Sequence, residues 1–217
     1  MYNILIACDN DYYHKWAINC LKTIQQQNPW IALHVVIINP ESNIDKIKNV
    51  NYHFEYINFP NDDCKVAYYQ ALRFLKVSDL FPNDELVMTI DCDTVCTRPF
   101  GIEEFSNICK TIHVQRHQKA DKWMAGLVTY GNDPAFRNDL KSNLMSEPIE
   151  NWRYGRDQEI LNSMAQKYNF RKLYVGEWMS FGKGKGIFIT LKGTQKTKDK
   201  FLKNYTDTIK RHESART

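Results

Sequence analysis

"LVMTIDCDTVCTRPF", residues 86–100, runs an unbroken apolar and β-branched segment straight into two acids one residue apart, Asp91 and Asp93. A run of that length without polar alternation is the pattern of a strand covered on both faces. Two carboxylates at its tip raise each other's pKa unless a cation or a shared proton lies between them. The stretch therefore predicts the interior of a sheet with a ligand-demanding end.

Upstream, "YNILIAC" (2–8) reads as a buried strand, and Ala17, Cys20, Leu21 and Ile24 form the stripe of an amphipathic helix. "ALHVVIIN" (32–39) is a β-branched strand stopped by Asn39-Pro40, and "NYHFEYI" (51–57) alternates as a half-buried strand does. Residues 64–80 carry Tyr68, Tyr69, Leu72 and Leu75 on one helical face and end near Pro82. This alternation predicts an α/β domain of Rossmann-like type, with a mainly parallel central sheet flanked by helices. Ligands of such sheets collect outside the carboxyl ends of the strands, where Asp91 and Asp93 fall. Downstream, 109–115 and 125–131 read as strands, the segment after Asp133 and the Ile160–Tyr168 stripe as helices, and 186–191 as a final strand. Residues 1–196 are expected to form one domain and 197–217 a basic C-terminal helix or tail.

The longest apolar stretch, 31–38, is interrupted by His34 and is too short to span a bilayer. The N-terminus shows no secretory pattern, so a cytoplasmic location is expected. Six cysteines scattered through apolar segments suit reduced thiols, and Cys92 and Cys96 lack a second ligand pair at zinc spacing. The net charge is +4, but residues 183–217 hold ten Lys or Arg against three acids. That tail suits a solvated helix, or peripheral contact with anionic lipid or phosphate. No nucleic-acid partner is expected.

On its own, Asp-Cys-Asp at a strand end has three readings: a capping turn, a divalent-cation site facing a diphosphate, or the nucleophile and acid/base of a haloacid-dehalogenase-type phosphatase. The phosphatase needs a later acidic pair, for which "GND" (131–133) is the nearest candidate. A nucleotidyltransferase would need an N-terminal Gly-rich loop, and "ACDNDYY" has no glycine.

Several further segments, in this order, resemble the GT-A glycosyltransferases, and within them family 8, the glycogenin and bacterial lipooligosaccharide galactosyltransferase group. "ILIACDNDYY" resembles the family's first strand and loop, which implies nucleotide contacts from Ala7, Cys8, Asp9, Asn10 and Tyr13. Lys65 and Arg73 stand where the family keeps a basic residue near the nucleotide sugar. "TIDCDTV" resembles the Asp-x-Asp segment, so Asp91, Cys92 and Asp93 would contact donor and cation. "WMAGLVTYG" is similar to the strand bordering the sugar, with Ala125 and Gly126 matching and Met124 where Asn is usual. "RDQEILNSM" resembles the Asp-Gln segment, implying that Asp157 binds donor hydroxyls and Gln158 lies near the anomeric carbon. Gly193 and Lys196 match the closing His-x-x-Gly-x-x-Lys, with Thr190 in the metal-binding His position. The resemblance implies a retaining hexosyltransferase that uses Mn²⁺ or Mg²⁺ and a UDP-sugar donor, with a carbohydrate or glycoconjugate acceptor. A nucleotide-sugar-binding protein without turnover is the alternative in another class. Trp123, Trp152 and Tyr154 are available to stack on an acceptor ring.

Overall fold

The computed structural model describes residues 1–117, 122–173, 176–181, 186–191, 197–203 and 205. Its centre is a seven-stranded mixed sheet of order β3-β2-β1-β4-β7-β6-β8. These strands are β1 (Tyr2–Asp9), β2 (Ala32–Ile38), β3 (Val50–Glu55), β4 (Leu86–Ile90), β6 (His113–His117), β7 (Lys122–Thr129) and β8 (Arg171–Leu173). All run one way except β7, which is antiparallel to both β4 and β6. The alternating elements thus form the expected α/β sheet, with one strand reversed.

The apolar runs lack alternation because helices cover both faces. In β1, Leu5 and Ala7 face a core built with α3 (Asp62–Leu80), α5 (Pro134–Leu144) and α6 (Arg156–Met164). Ile4, Ile6 and Cys8 face the opposite core, with α2 (Ile18–Gln27) and α4 (Ile102–Cys109). A short helix α1 (Asn10–Tyr12) leads through a π-helical stretch, Tyr13–Ala17, into α2. Asn61 starts α3 by accepting the Cys64 amide at 2.9 Å, and Phe81, just before Pro82, closes it.

The second half departs from the sequence reading in three places. α6 ends at Met164, so Ala165 and Tyr168 of the predicted helical stripe lie in the turns beyond it. Residues 109–112, read as the start of a strand, are the end of α4 and a turn, and β6 begins only at His113. The His113 ring bonds back to Thr111 and the Ile108 carbonyl, which anchors that turn. A second sheet, β5-β10-β9, is built from β5 (Thr94–Cys96), β9 (Met179–Phe181) and β10 (Phe188–Thr190). It rests on the α2 and α4 side through Phe188 and Met179. Gly186 permits its close backbone approach, since a Cβ there would meet the Ser180 amide nitrogen at 2.8 Å. Residues 197–203 are helical; the rest of the basic tail, from 206 on, lies outside the described residues. No helix among the described residues is long and apolar enough to cross a membrane.

Candidate functional site

The strand order runs outward from β1 to β3 on one side and through β4 on the other. The carboxyl ends of β1 and β4 therefore meet at a topological switch point, where connections depart to opposite sides and leave a crevice. Asp9 ends β1, and Asp91 follows the last residue of β4. The neighbouring strand β7 lies alongside, its Gly126 carbonyl accepting the Asp91 amide at 3.1 Å.

Arg73 organises the acids. It reaches in from α3, 5% exposed, and its guanidinium lies 2.9 Å from Asp91 Oδ1, 3.9 Å from Asp157 Oδ2 and 2.9 Å from the Ala125 carbonyl. Asp157 is placed by Gly155, whose φ of 84° turns the chain into the start of α6 and buries the acid in its first turn. One Asp157 oxygen accepts the Gln158 amide at 2.8 Å. Loss of surrounding water pushes the Asp91 carboxyl up to about 6; Arg73 opposes this, while Asp93 and Asp157 add to it. Burial likewise raises Asp157 above the usual carboxylate range against the pull of Arg73. Arg73, Asp91, Ala125, Gly126 and Asp157 thus come together from α3, the end of β4, β7 and α6, with Asp93 close enough for its charge to act on Asp91.

Asp93 has its own cation. Lys198 Nζ stands 2.6 Å from Asp93 Oδ2, with the two side chains 15% and 16% exposed, and lies 5.3 Å from the Trp16 ring centre. Burial pulls the ammonium pKa down, but the hydrogen bond and charge of Asp93 more than offset this and leave it raised. Seven residues on, the Tyr205 hydroxyl donates to the Cys96 carbonyl, so the segment is fastened on both sides of the β5 edge. Leu191 donates to the Asp93 carbonyl at 2.9 Å, which brings β10 and its Thr190 to the same end. The Thr190 hydroxyl, 6% exposed, is engaged with the Thr94 hydroxyl at 3.3 Å and the Met179 sulfur at 3.4 Å. Gly193 and Lys196 lie outside the described residues.

Beside the cluster an open cleft of ≈ 610 Å³ runs between the ends of β1 and β2 and the start of α3. Asp9, Asn10, Lys65 and Tyr69 line it; Asp91 and Asp93 lie outside its lining. One Asp9 oxygen caps α1 by accepting the Tyr12 amide at 2.7 Å, and Asn10 pairs with Glu41 at 2.9 Å. Tyr69, read from the sequence as part of a core stripe, shares this wall with Lys65, whose ammonium lies 5.9 Å from its ring centre. Of the other predicted contacts, Ala7 and Cys8 are buried in β1, and burial followed by the neighbouring Cys92 pushes the Cys8 thiol up. Tyr13 is fully buried and donates to the Asp45 carbonyl at 2.6 Å, away from the cleft lining. Trp152 is a core residue under α3 and Trp123 is buried, whereas Tyr154 is 72% exposed. Asp133, the acid nearest to a phosphatase pattern, is the N-cap of α5 and accepts the Phe136 amide at 3.0 Å.

Compared with models of known protein families and with curated proteins, the chain matches none. Among the described residues no three His, Cys, Asp or Glu side chains gather as a metal site would. The donors present are two carboxylates, one of which already holds a side-chain ammonium. Such a set suits a hard cation of the Mg²⁺ kind, which commonly takes one or two carboxylates and completes its shell with water and substrate phosphate oxygens. Lys198 and Tyr69 are the contributors that sequence reasoning missed.

Proposed function

We propose that the chain is a GT-A-type glycosyltransferase that moves a hexose from a UDP-sugar to an acceptor hydroxyl. The carrying observation is that Arg73 ties Asp91 to Asp157, 66 positions later in the sequence, at the switch point beside a polar cleft. In this reading the cleft lined by Asp9, Asn10, Lys65 and Tyr69 takes the nucleoside, and the acidic cluster takes the diphosphate and sugar. Asp91 and Asp93 would hold the cation, which supplies positive charge to the departing diphosphate. Arg73 fixes the orientation of Asp91 and shares its charge, so that the carboxylate faces the cation in one geometry. Asp157, buried and already accepting one backbone amide, has its remaining lone pairs for sugar hydroxyls. Gln158 has no titratable proton and so acts as a dipole near the anomeric centre, while the leaving phosphate takes the acceptor's proton.

The test is UDP release from UDP-glucose, UDP-galactose and their N-acetyl forms with Mg²⁺ or Mn²⁺, with and without acceptor. Slow release to water by the wild type, lost in Asp93→Asn with an unchanged fold by circular dichroism, is the expected result. Wild-type protein that neither binds nor cleaves any of the four refutes the proposal.

A further inference from the structure

One buried polar group next to the cluster takes no part in the account above. Gln115 on β6 is 1% exposed, and neither its amide oxygen nor its amide nitrogen has a hydrogen-bond partner among the described residues. Burying an amide unpaired costs about 1–3 kcal/mol, so such groups in folded proteins meet something that pairs them.

The backbone shows where the amide is aimed. Pairing between β6 and β7 jumps from Val114–Val128 to Gln115–Met124, so Ala125, Gly126 and Leu127 form a bulge opposite no β6 residue. Bulges re-aim side chains and recur beside active sites. Within this bulge the Gly126 carbonyl accepts the Asp91 amide at the end of β4. Gln115 stands at the first pair beyond the bulge. A Cβ on Gly126 would stand 3.0 Å from Gln115 Oε1, 3.2 Å from Asp91 Oδ2 and 3.1 Å from Met179 Sδ. The Gln115 amide, an Asp91 carboxylate oxygen and the Met179 thioether thus converge around Gly126, where no side chain separates them. Asp91 turns its other oxygen, Oδ1, to Arg73.

We infer that Gln115 is a sugar-recognition residue: its amide pairs with ring hydroxyls of the donor hexose at the Gly126 bulge. This rests on the nucleotide-sugar reading and names a specificity contact within it. The chemistry selects the ligand class. An amide offers an acceptor and two donors, matching hydroxyls, which both give and take a hydrogen bond. An anion at this point would face the Asp91 carboxylate, so the diphosphate is not what Gln115 meets. Met179 is the third group at this point, and its flexible, unbranched side chain is the one that can turn aside to admit a hydroxyl. A site that loses a hydrogen-bonding partner for a substrate hydroxyl discriminates less between donors that carry it differently.

The test uses Gln115→Met, which keeps length and volume and removes the amide. Calorimetry with Mg²⁺ measures binding of UDP and of UDP-glucose, UDP-galactose and their N-acetyl forms to the full chain, and thermal denaturation follows stability. The expected result is an unchanged affinity for UDP and a melting temperature equal to or above the wild type's, because an unpaired buried amide has been removed. For the preferred sugar nucleotide, the ratio of its Kd to that of UDP rises about five- to tenfold, the loss of one or two hydrogen bonds. An unchanged ratio, or a melting temperature several degrees lower, overturns the inference, the latter because it shows the amide to be paired within the protein. Wild-type protein that binds neither UDP nor any UDP-sugar overturns the nucleotide-sugar reading itself, a result distinct from either of these.

Discussion

Replacing Lys198 by Met removes the one cation that Asp93 contacts directly among the described residues while keeping an apolar stem to pack on Trp16. In the structure the ammonium and a divalent ion would need the same carboxylate oxygen region, so the two compete. A hydrogen bond between charged groups contributes about 1.5–3 kcal/mol when partly buried, and both side chains here are 15–16% exposed. Taking the lower half of that range, because water still reaches the pair, about 1.5–2 kcal/mol must be given up before a cation can settle on Asp93. A cost of that size lowers the fraction of binding-competent protein, and therefore the apparent affinity, by roughly ten- to thirtyfold. Lys198→Met should accordingly bind Mn²⁺ about tenfold more tightly than the wild type in a titration followed by electron paramagnetic resonance, at 0.15 M salt without nucleotide. Without metal the variant should melt earlier, since Asp91 and Asp93 then face each other with one cation fewer, and added Mn²⁺ should recover the difference. Lys198→Arg, which keeps the charge, should retain the weaker wild-type affinity. Equal Mn²⁺ affinity in wild type and Lys198→Met would refute the competition, and no binding to either protein would refute the cation site.

Arg73→Met leaves Asp91, Asp157 and the Ala125 carbonyl without their shared donor, and should cost about 3 kcal/mol in urea unfolding at pH 7. Its deficit should shrink at pH 5, where the unpaired carboxyls take up protons more readily than they do beside the guanidinium. Gly186→Ala forces a Cβ to within 2.9 Å of the Met179 carbonyl carbon, and should lower stability by about 2 kcal/mol in the same assay. Burial, and then the charge of the stacked His53, lower the His34 pKa from 6.5 to about 4. The unfolded chain therefore binds a proton that the folded one refuses, so stability present above pH 6.5 is lost as pH falls toward 4. A melting-temperature profile over that window should be steeper for the wild type than for His34→Gln.

What the sequence made legible follows the length and burial of each element. β1, β2, β4 and α3 carry long apolar signals bounded by Asn39-Pro40, Asn61 and Pro82, and each forms within a few residues of its predicted place. β5, β8, β9 and β10 are three residues long, too short for any periodicity to accumulate, and of these only β10 fell within a predicted strand. The reversal of β7 is a matter of tertiary connection: its residues are as apolar as those of a parallel strand, and nothing local distinguishes the two directions. In the site, Asp91 and Asp93 were legible as two acids crowded at a strand tip, whereas Asp157, at a helix start where acids are common, was marked only by the resemblance of its segment. Gln115 left a faint signal, a single amide in an otherwise plausible buried strand, whose meaning required the bulge beside it. Lys198 left none, being one of ten basic residues in a tail whose composition points to solvent.

The two cations of the cluster differ in a way that bears on how the site works. Three carboxylates, Asp91, Asp93 and Asp157, face Arg73 and Lys198, so the described cluster is one charge short of balance when all are ionised. Arg73 rises from the middle of a 19-residue helix packed on the sheet, and cannot leave without taking α3 with it. Lys198 stands on the segment 197–203, which belongs to neither sheet and is held here by the ion pair to Asp93 and by the Tyr205 hydroxyl on the Cys96 carbonyl. One positive charge is therefore built into a helix packed on the sheet, while the other stands on a segment outside both sheets. A divalent ion in the place of Lys198 would bring the cluster from one negative charge in excess to balance, and so would lift the repulsion that an approaching diphosphate meets from the carboxylates. The Asp91-Cys92-Asp93 stretch thus holds a guanidinium from the core on its first carboxylate and, on its second, an ammonium that a divalent ion would have to displace.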